Sequence, residues 1–208
     1  MKFLQAVALL AAFSIGSLPS VAATPPTERV VLAGGCFWGM QLVFGSLRGA
    51  VAVAGYAGGD AGTANYETVS TGSTGHAESV SVTYDPAKIS FKKILDVYFL
   101  VAHDPTELNR QGPDEGSQYR SEIFYTTPEQ RAQALAYIAH LQSAHVYSGK
   151  IVTIVAPLHG FYPAESYHQD YAVHNPENPY IVFNDLPKLR KLRSDFPQLV
   201  KADAPFKN

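Results

Sequence analysis

The chain has one cysteine and one tryptophan, and they sit together in Gly34-Gly35-Cys36-Phe37-Trp38-Gly39. The thiolate form of cysteine is a strong nucleophile. A thiol at a helix N-terminus ionises more easily, because the unpaired N–H groups there favour negative charge. The flanking glycines let the backbone turn tightly and let a second molecule approach. Phe37 and Trp38 look like the wall of an apolar pocket. The plainer reading is a lone cysteine packed as a small hydrophobe. Two other stretches place polar groups beside glycines just before a strand: Gly72-Ser73-Thr74-Gly75-His76-Ala77-Glu78, and Asn109 through Asp114 and Tyr119 to Arg120. A carboxylate in an apolar pocket keeps its proton and can act as a general acid. Taken alone, Glu78 reads more simply as a solvated acid at a strand end. His76-Ala77-Glu78 matches the H-x-E of zinc deaminases, but those need a P-C-x-x-C partner, which one cysteine cannot supply. The seven histidines are scattered without ligand spacing, so no metal site is expected. The basic run from Lys188 to Arg193 reads as a solvated helix face.

The elements that must position these residues follow from the apolar pattern. Val30-Val31-Leu32-Ala33 reads as a buried strand, over about Arg29 to Ala33, and Phe37 to about Leu47 as a helix. Cys36 then lies at a strand-to-helix junction. Val51 to Ala54 is a short strand, followed by a long Gly/Thr/Ser/Asn loop to Gly75 that contains Asp60, Tyr66 and Glu67. Loops of that length usually serve a function. Val80, Val82 and Tyr84 alternate with polar residues as in a half-buried strand. Ser90 caps a helix whose face is Phe91, Ile94, Leu95, Tyr98 and Val101. A second polar loop reaches Arg120, and Ile123 to Tyr125 is a strand. Thr127-Pro128-Glu129-Gln130 is a capping box opening a helix with Leu135, Ile138, Ala139 and Val146 on one face. Ile151 to Val155 is the last clear strand, and a short helix is expected near Lys188 to Phe196. The order β-α-β, β-α-β, then helix and strand gives an α+β fold: a two-layer sandwich with a ferredoxin-like, split β-α-β core and a long irregular C-terminal segment.

Length and composition suit one full-sized domain. Charged residues are 16% and aromatics 12%, against disorder, and a net charge of −2 gives no electrostatic case for nucleic acid or an anionic membrane. Met1 to Ala23 differs from the rest. Lys2 precedes an apolar run from Phe3 to Phe13, Pro19 and Ser20 break it, and Val21-Ala22-Ala23 matches a small-residue cleavage site. This reads as a secretory signal peptide, with an uncleaved anchor as the alternative. Residues 24–208 are then a single catalytic domain, exported and most simply periplasmic. No internal disulfide is possible, and an unpaired cysteine in an exported protein implies intermolecular pairing or a reactive thiol.

The segments Gly34 to Gly39, Gly55 to Gly59, Gly72 to Glu78, His103 to Pro105, Leu108 to Arg120 and Ala164 to Gln169 resemble, in order, the peptide methionine sulfoxide reductase A family. The resemblance implies reduction of the S epimer of methionine sulfoxide, free or in proteins. It places the family's nucleophile on Cys36 and its acid on Glu78. The two oxygen-binding tyrosines fall on Tyr66 and Tyr119, and the loop aspartate that helps hold substrate on Asp114. The aromatic cage for the substrate methyl falls on Phe37 and Trp38. Many relatives carry further cysteines that attack the sulfenic acid. This chain has none, and Ser70 stands where some have one. The resemblance is therefore to a single-cysteine form, with no bound cofactor and an external thiol, a small molecule or a thioredoxin-like protein, as reductant. A monomer is expected. Rival readings are a thiol peroxidase, a non-catalytic peptide-binding module, and a Cys-His hydrolase using His76, His103 or His168.

Overall fold

The computed structural model describes residues 26–206. The signal-peptide reading of residues 1–23 lies outside them. Strand β1 (Glu28–Ala33) leads into helix α1 (Phe37–Gly45) and strand β2 (Ala50–Ala57). A short helix α2 (Tyr66–Val69), strand β3 (Ala77–Tyr84) and helix α3 (Phe91–Val97) follow, and α3 continues into a wide turn over Tyr98–Ala102. Strands β4 (Arg110–Gln111) and β5 (Asp114–Glu115) form a small hairpin. Strand β6 (Glu122–Tyr125), helix α4 (Pro128–Ser143) and strands β7 (Ile154–Pro157) and β8 (Phe161–Pro163) come next. Helices α5 (Tyr171–His174) and α6 (Leu186–Asp195) lie in the C-terminal segment.

The main sheet has the order β7-β6-β1-β3-β2-β8. β3 is antiparallel to both β1 and β2, so β1 and β2 are parallel with β3 between them. β1 likewise separates the parallel pair β3 and β6. These are two interlocked split β-α-β units, the expected ferredoxin-like core. β7 adds in parallel to β6, and β8 adds antiparallel to β2.

Side chains alternate across the sheet as the pleat requires. Val30, Leu32, Ala54, Tyr56, Val80, Val82, Tyr84 and Ile123 join the core on the helix side. Val31, Ala33, Ala57, Ala77 and Phe124 form a smaller cluster on the other, with Leu158 and Phe161 packed against it. This second layer corrects the half-buried expectation for β3, whose intervening Ser79 and Ser81 are buried too. Helix α1 is buried almost all round, as a helix apolar on every face must be. It packs against β2 and β3 on one side and against α5 and α6 on the other. The long C-terminal segment, built of short helices and turns, thus covers α1.

Other boundaries also shift. The long loop before β3 contains α2, whose N–H of Thr68 is capped by Asn65. β8 follows the strand expected to be last. Helix α4 buries Ala134 and Leu141 while Leu135 is exposed, so its inner face is turned from the one expected, and Val146, expected on that face, lies past the helix end and is exposed. Its capping box is half formed: Thr127 accepts from the N–H of Gln130, but the Gln130 side chain accepts from Thr126.

Candidate active site

Cys36 is the N-cap residue of α1 and is 8% exposed. Its loop is shaped by Gly35 at φ +93°, a conformation that strongly favours glycine; a Cβ there would also lie 2.6 Å from the Gln111 side chain. Gln111 pins the β4–β5 hairpin against the chain after α3, accepting from Asp104 N–H at 2.8 Å and donating to Asp104 O at 3.0 Å. A cavity of about 180 Å³ opens beside Cys36, bounded by the hairpin with Asp114, by Tyr180 and Phe183, and by Lys188.

Glu78 lies near the start of β3, opposite Tyr56, at the end of the sheet where β1 runs into α1. It is 2% exposed, and its Oε2 accepts from the Phe37 N–H at 3.0 Å. That N–H is one of the unpaired donors of the first turn of α1. Burial pushes the Glu78 carboxyl up to about 8; the Phe37 N–H pulls against this and the nearby Asp114 adds to it. The solvated strand-end reading of Glu78 is therefore corrected.

The helix end does not ionise Cys36 at rest. Burial raises its pKa well above 9.0, and the charges of Glu78 and Asp185 raise it further; the Trp38 N–H, which donates to the sulfur, only partly offsets them. Desolvation and carboxylates outweigh the helix end, so the resting thiol is protonated.

Tyr66 and Tyr119 approach from α2 and from the turn Ser117–Tyr119. Burial raises both phenols above their ordinary value, and Glu78 adds to the shift in each. Tyr66 packs its ring against His168, 4.5 Å between centroids, which links it to Phe37 and Trp38 beside the sulfur. Tyr66 is fixed by its backbone N–H donating to Glu165 at 2.9 Å. Asp114 accepts a hydrogen bond from the Tyr180 hydroxyl, and burial lifts its carboxyl above the ordinary range. Trp38 stacks on Tyr171 at 3.9 Å between centroids and meets Tyr180 edge-on. Phe37 is turned fully inward, its ring against Tyr56 and His168.

The structure thus gathers Cys36, Glu78, Tyr66, Tyr119, Asp114 and Trp38 at one end of the sheet, with Phe37 beneath them. Sequence reasoning missed Tyr180 and Lys188, and assigned His168 only to a hydrolase. The Nδ1 of His168 accepts from the Trp38 indole at 3.1 Å, so its own proton is on the buried Nε2, which has no partner. A stretch rich in aromatics after Pro157 was the one available signal for these residues. The other two histidines are engaged elsewhere. His76 accepts from Gly59 N–H and contacts Asp60 O, while His103 bonds Tyr98 O and Ser121. Among the described residues no histidine hydrogen-bonds Cys36, which removes the geometric basis of a Cys-His hydrolase.

Comparison with known proteins agrees with this geometry. The family model described as peptide methionine sulfoxide reductase matches residues 28–199. A peptide methionine sulfoxide reductase MsrA of Synechocystis sp. is 50% identical over 86% of this chain and 84% of its own. One from Mesorhizobium japonicum is 53% identical over 85% of this chain and 91% of its own. The structure of methionine sulfoxide reductase A of Corynebacterium diphtheriae superimposes with a TM-score of 0.65 at 36% identity, covering 74% of this chain and 77% of that one. The chain belongs to the peptide methionine sulfoxide reductase family.

Proposed function

We propose that this protein reduces the S epimer of methionine sulfoxide, free and in polypeptides, through a sulfenic acid on Cys36 that an external thiol resolves. The observation that carries the reading is Glu78: a buried, protonated carboxylic acid held by the backbone N–H next to the only cysteine of the chain. A sulfoxide sulfur is a weak electrophile until its oxygen receives a proton. Glu78 gives its proton to that oxygen, with the Tyr66 and Tyr119 hydroxyls as further donors. The Cys36 sulfur attacks the substrate sulfur and the thiol proton returns to Glu78; the hydroxyl then passes from the substrate sulfur to the Cys36 sulfur, as the substrate's sulfur–oxygen bond and the transient sulfur–sulfur bond break. Methionine leaves reduced by two electrons, and Cys36 holds the oxygen as a sulfenic acid. Trp38, Phe37 and Asp114 are assigned to the substrate: the aromatics to its methyl group, Asp114 to its polar side.

A single cysteine supports an intermolecular second half. A first external thiol condenses with the sulfenic acid to a mixed disulfide and water, and a second thiol releases Cys36. A thioredoxin-like protein or a small dithiol fits that role. The N-terminal segment supports export, with an envelope-resident reductant, and the enzyme is taken to act as a monomer.

The test is single turnover of the two epimers without added reductant, followed by labelling of Cys36 with a sulfenic-acid probe. One equivalent of methionine from the S epimer alone, with labelled Cys36, is expected. No reaction with either epimer, alongside rapid and recyclable oxidation by hydrogen peroxide, would replace this reading with a thiol peroxidase.

A further inference from the structure

Beneath the first turn of α1 lies a charged pair that the proposed chemistry does not use. Asp185, at the end of the wide turn Ile181–Asp185, is 0% exposed. Its Oδ1 meets the Lys188 Nζ at 3.5 Å, and its Oδ2 has no partner. The carboxylate presses on the helix that Cys36 caps: a Cβ on Gly39 would sit 2.0 Å from Asp185 Oδ1 and 3.1 Å from Lys188 Nζ. Lys188 is itself largely buried and lines the same cavity as Cys36. A buried carboxylate with one oxygen unpaired is costly to keep.

We propose that Asp185 and Lys188 are positioning residues for the reaction at Cys36, an opposed charge pair beneath the first turn of α1 that tunes the reactivity of the sulfur. This goes beyond the assigned site residues and deepens the reductase reading, on which its catalytic meaning rests.

The groups facing the sulfur make the sign clear. Glu78 from β3, Asp114 from β5 and Asp185 all oppose a negative charge on Cys36. Tyr66, Tyr119 and Tyr180 surround it as neutral phenols. Lys188 lowers the carboxyls of both Asp185 and Asp114 and so offsets the two acids nearest to it; His103 is the other titratable group within its field. Asp185 adds to the hold that burial and Glu78 already have on the neutral thiol, and Lys188, by offsetting Asp185, limits that share.

The test is the pH dependence of Cys36 alkylation by iodoacetamide in the full-length protein, which needs no sulfoxide turnover and reads a single cysteine. Asp185→Asn is expected to move the midpoint of the profile down, and Lys188→Met to move it up, each by about one pH unit, with Lys188→Arg restoring the parent profile. A purely structural pair gives no shift, or shifts of the same sign in both variants, and either result overturns the proposal. So does loss of the fold, read by circular dichroism, in both Asp185→Asn and Lys188→Met. If alkylation shifts as expected but no sulfoxide is reduced, the reductase reading fails while the electrostatic assignment stands.

Discussion

The two split β-α-β units have the same topology and put their helix N-termini to different uses. In the first, β1 turns into α1 through Gly34, Gly35 and Cys36, and the N-cap side chain makes no capping hydrogen bond. An N–H of that first turn goes instead to Glu78 from another strand. In the second, β3 turns into α3 through Asp85 to Ser90, and Ser90 caps the Lys93 N–H from within its own loop at 3.3 Å. Because β1 and β3 are antiparallel, the two turns lie at opposite ends of the sheet. One end satisfies its own backbone and belongs to the fold alone. At the other, the helix end is completed by a carboxylate that keeps its own chemistry.

The comparison breaks first at Glu78. Glu78→Gln keeps the shape but removes the acid, and turnover is expected to fall by roughly 10²–10⁴-fold, the usual worth of a positioned acid. In the parent, kcat/KM should decline as pH rises through about 8, where Glu78 ionises, and the variant should lack that limb. The substitution itself should raise stability. Glu78 titrates near 4.5 unfolded and near 8 folded, so the unfolded chain loses this proton first as pH rises. The group's contribution to stability is full below about 4.5 and drains away as pH climbs toward 8. At pH 7 the Gln variant is therefore expected to be more stable than the parent, on the order of 1 kcal/mol or more, in urea denaturation. A variant less stable at pH 7 would mean that Glu78 is ionised and serves the fold.

Gly39→Ala sharpens the same contrast. In a helix interior, alanine is preferred to glycine by about 0.5–1 kcal/mol, so propensity alone predicts a more stable protein. The added methyl would meet the buried Asp185 carboxylate at 2.0 Å. Overpacking of that kind costs about 1–3 kcal/mol, so a net loss is expected together with reduced turnover. A gain in stability would mean that α1 and the turn before α6 yield easily, and that the site is less rigid than its packing.

The sequence was most legible where local pattern and tertiary environment agree. The run Val30 to Ala33, the glycines and the apolar Phe37 to Phe44 give a strand, a turn and a buried helix without outside help, and the Ser90 and Thr127 caps are local hydrogen bonds. It failed where burial comes from distant chain. Ser79 and Ser81 look like the wet face of a strand, yet the sheet is covered on that side by Phe124, Leu158 and Phe161. β8 is three residues ending in Pro163, too short for any period to register. Lys188 reads as one of a solvated basic run, but Leu189 and Leu192 turn α6 inward and carry Lys188 to the cavity beside Cys36, leaving Arg190 and Lys191 outside. The charge state of Cys36 was misjudged for the same reason: the helix end is visible in sequence, while the three carboxylates opposing it come from separate strands and turns.

Ser90→Ala gives the smallest effect and the cleanest control. The hydroxyl is exposed and its partner is local, so its loss should cost about 1 kcal/mol, the usual value of an N-cap. Lys92 and Lys93 both pair with Asp96 along α3 and keep the helix formed, so the change should appear as a lower urea midpoint at unchanged slope. Turnover at saturating substrate should equal the parent's, because α3 begins at the far end of the sheet from Cys36. With Glu78→Gln this makes a double dissociation: one variant loses activity and gains stability, the other loses stability and keeps activity. If Ser90→Ala also slowed turnover, the two ends of the sheet would be coupled through β3, which carries Glu78 at one end and feeds α3 at the other, and the division between a folding end and a chemical end would fail.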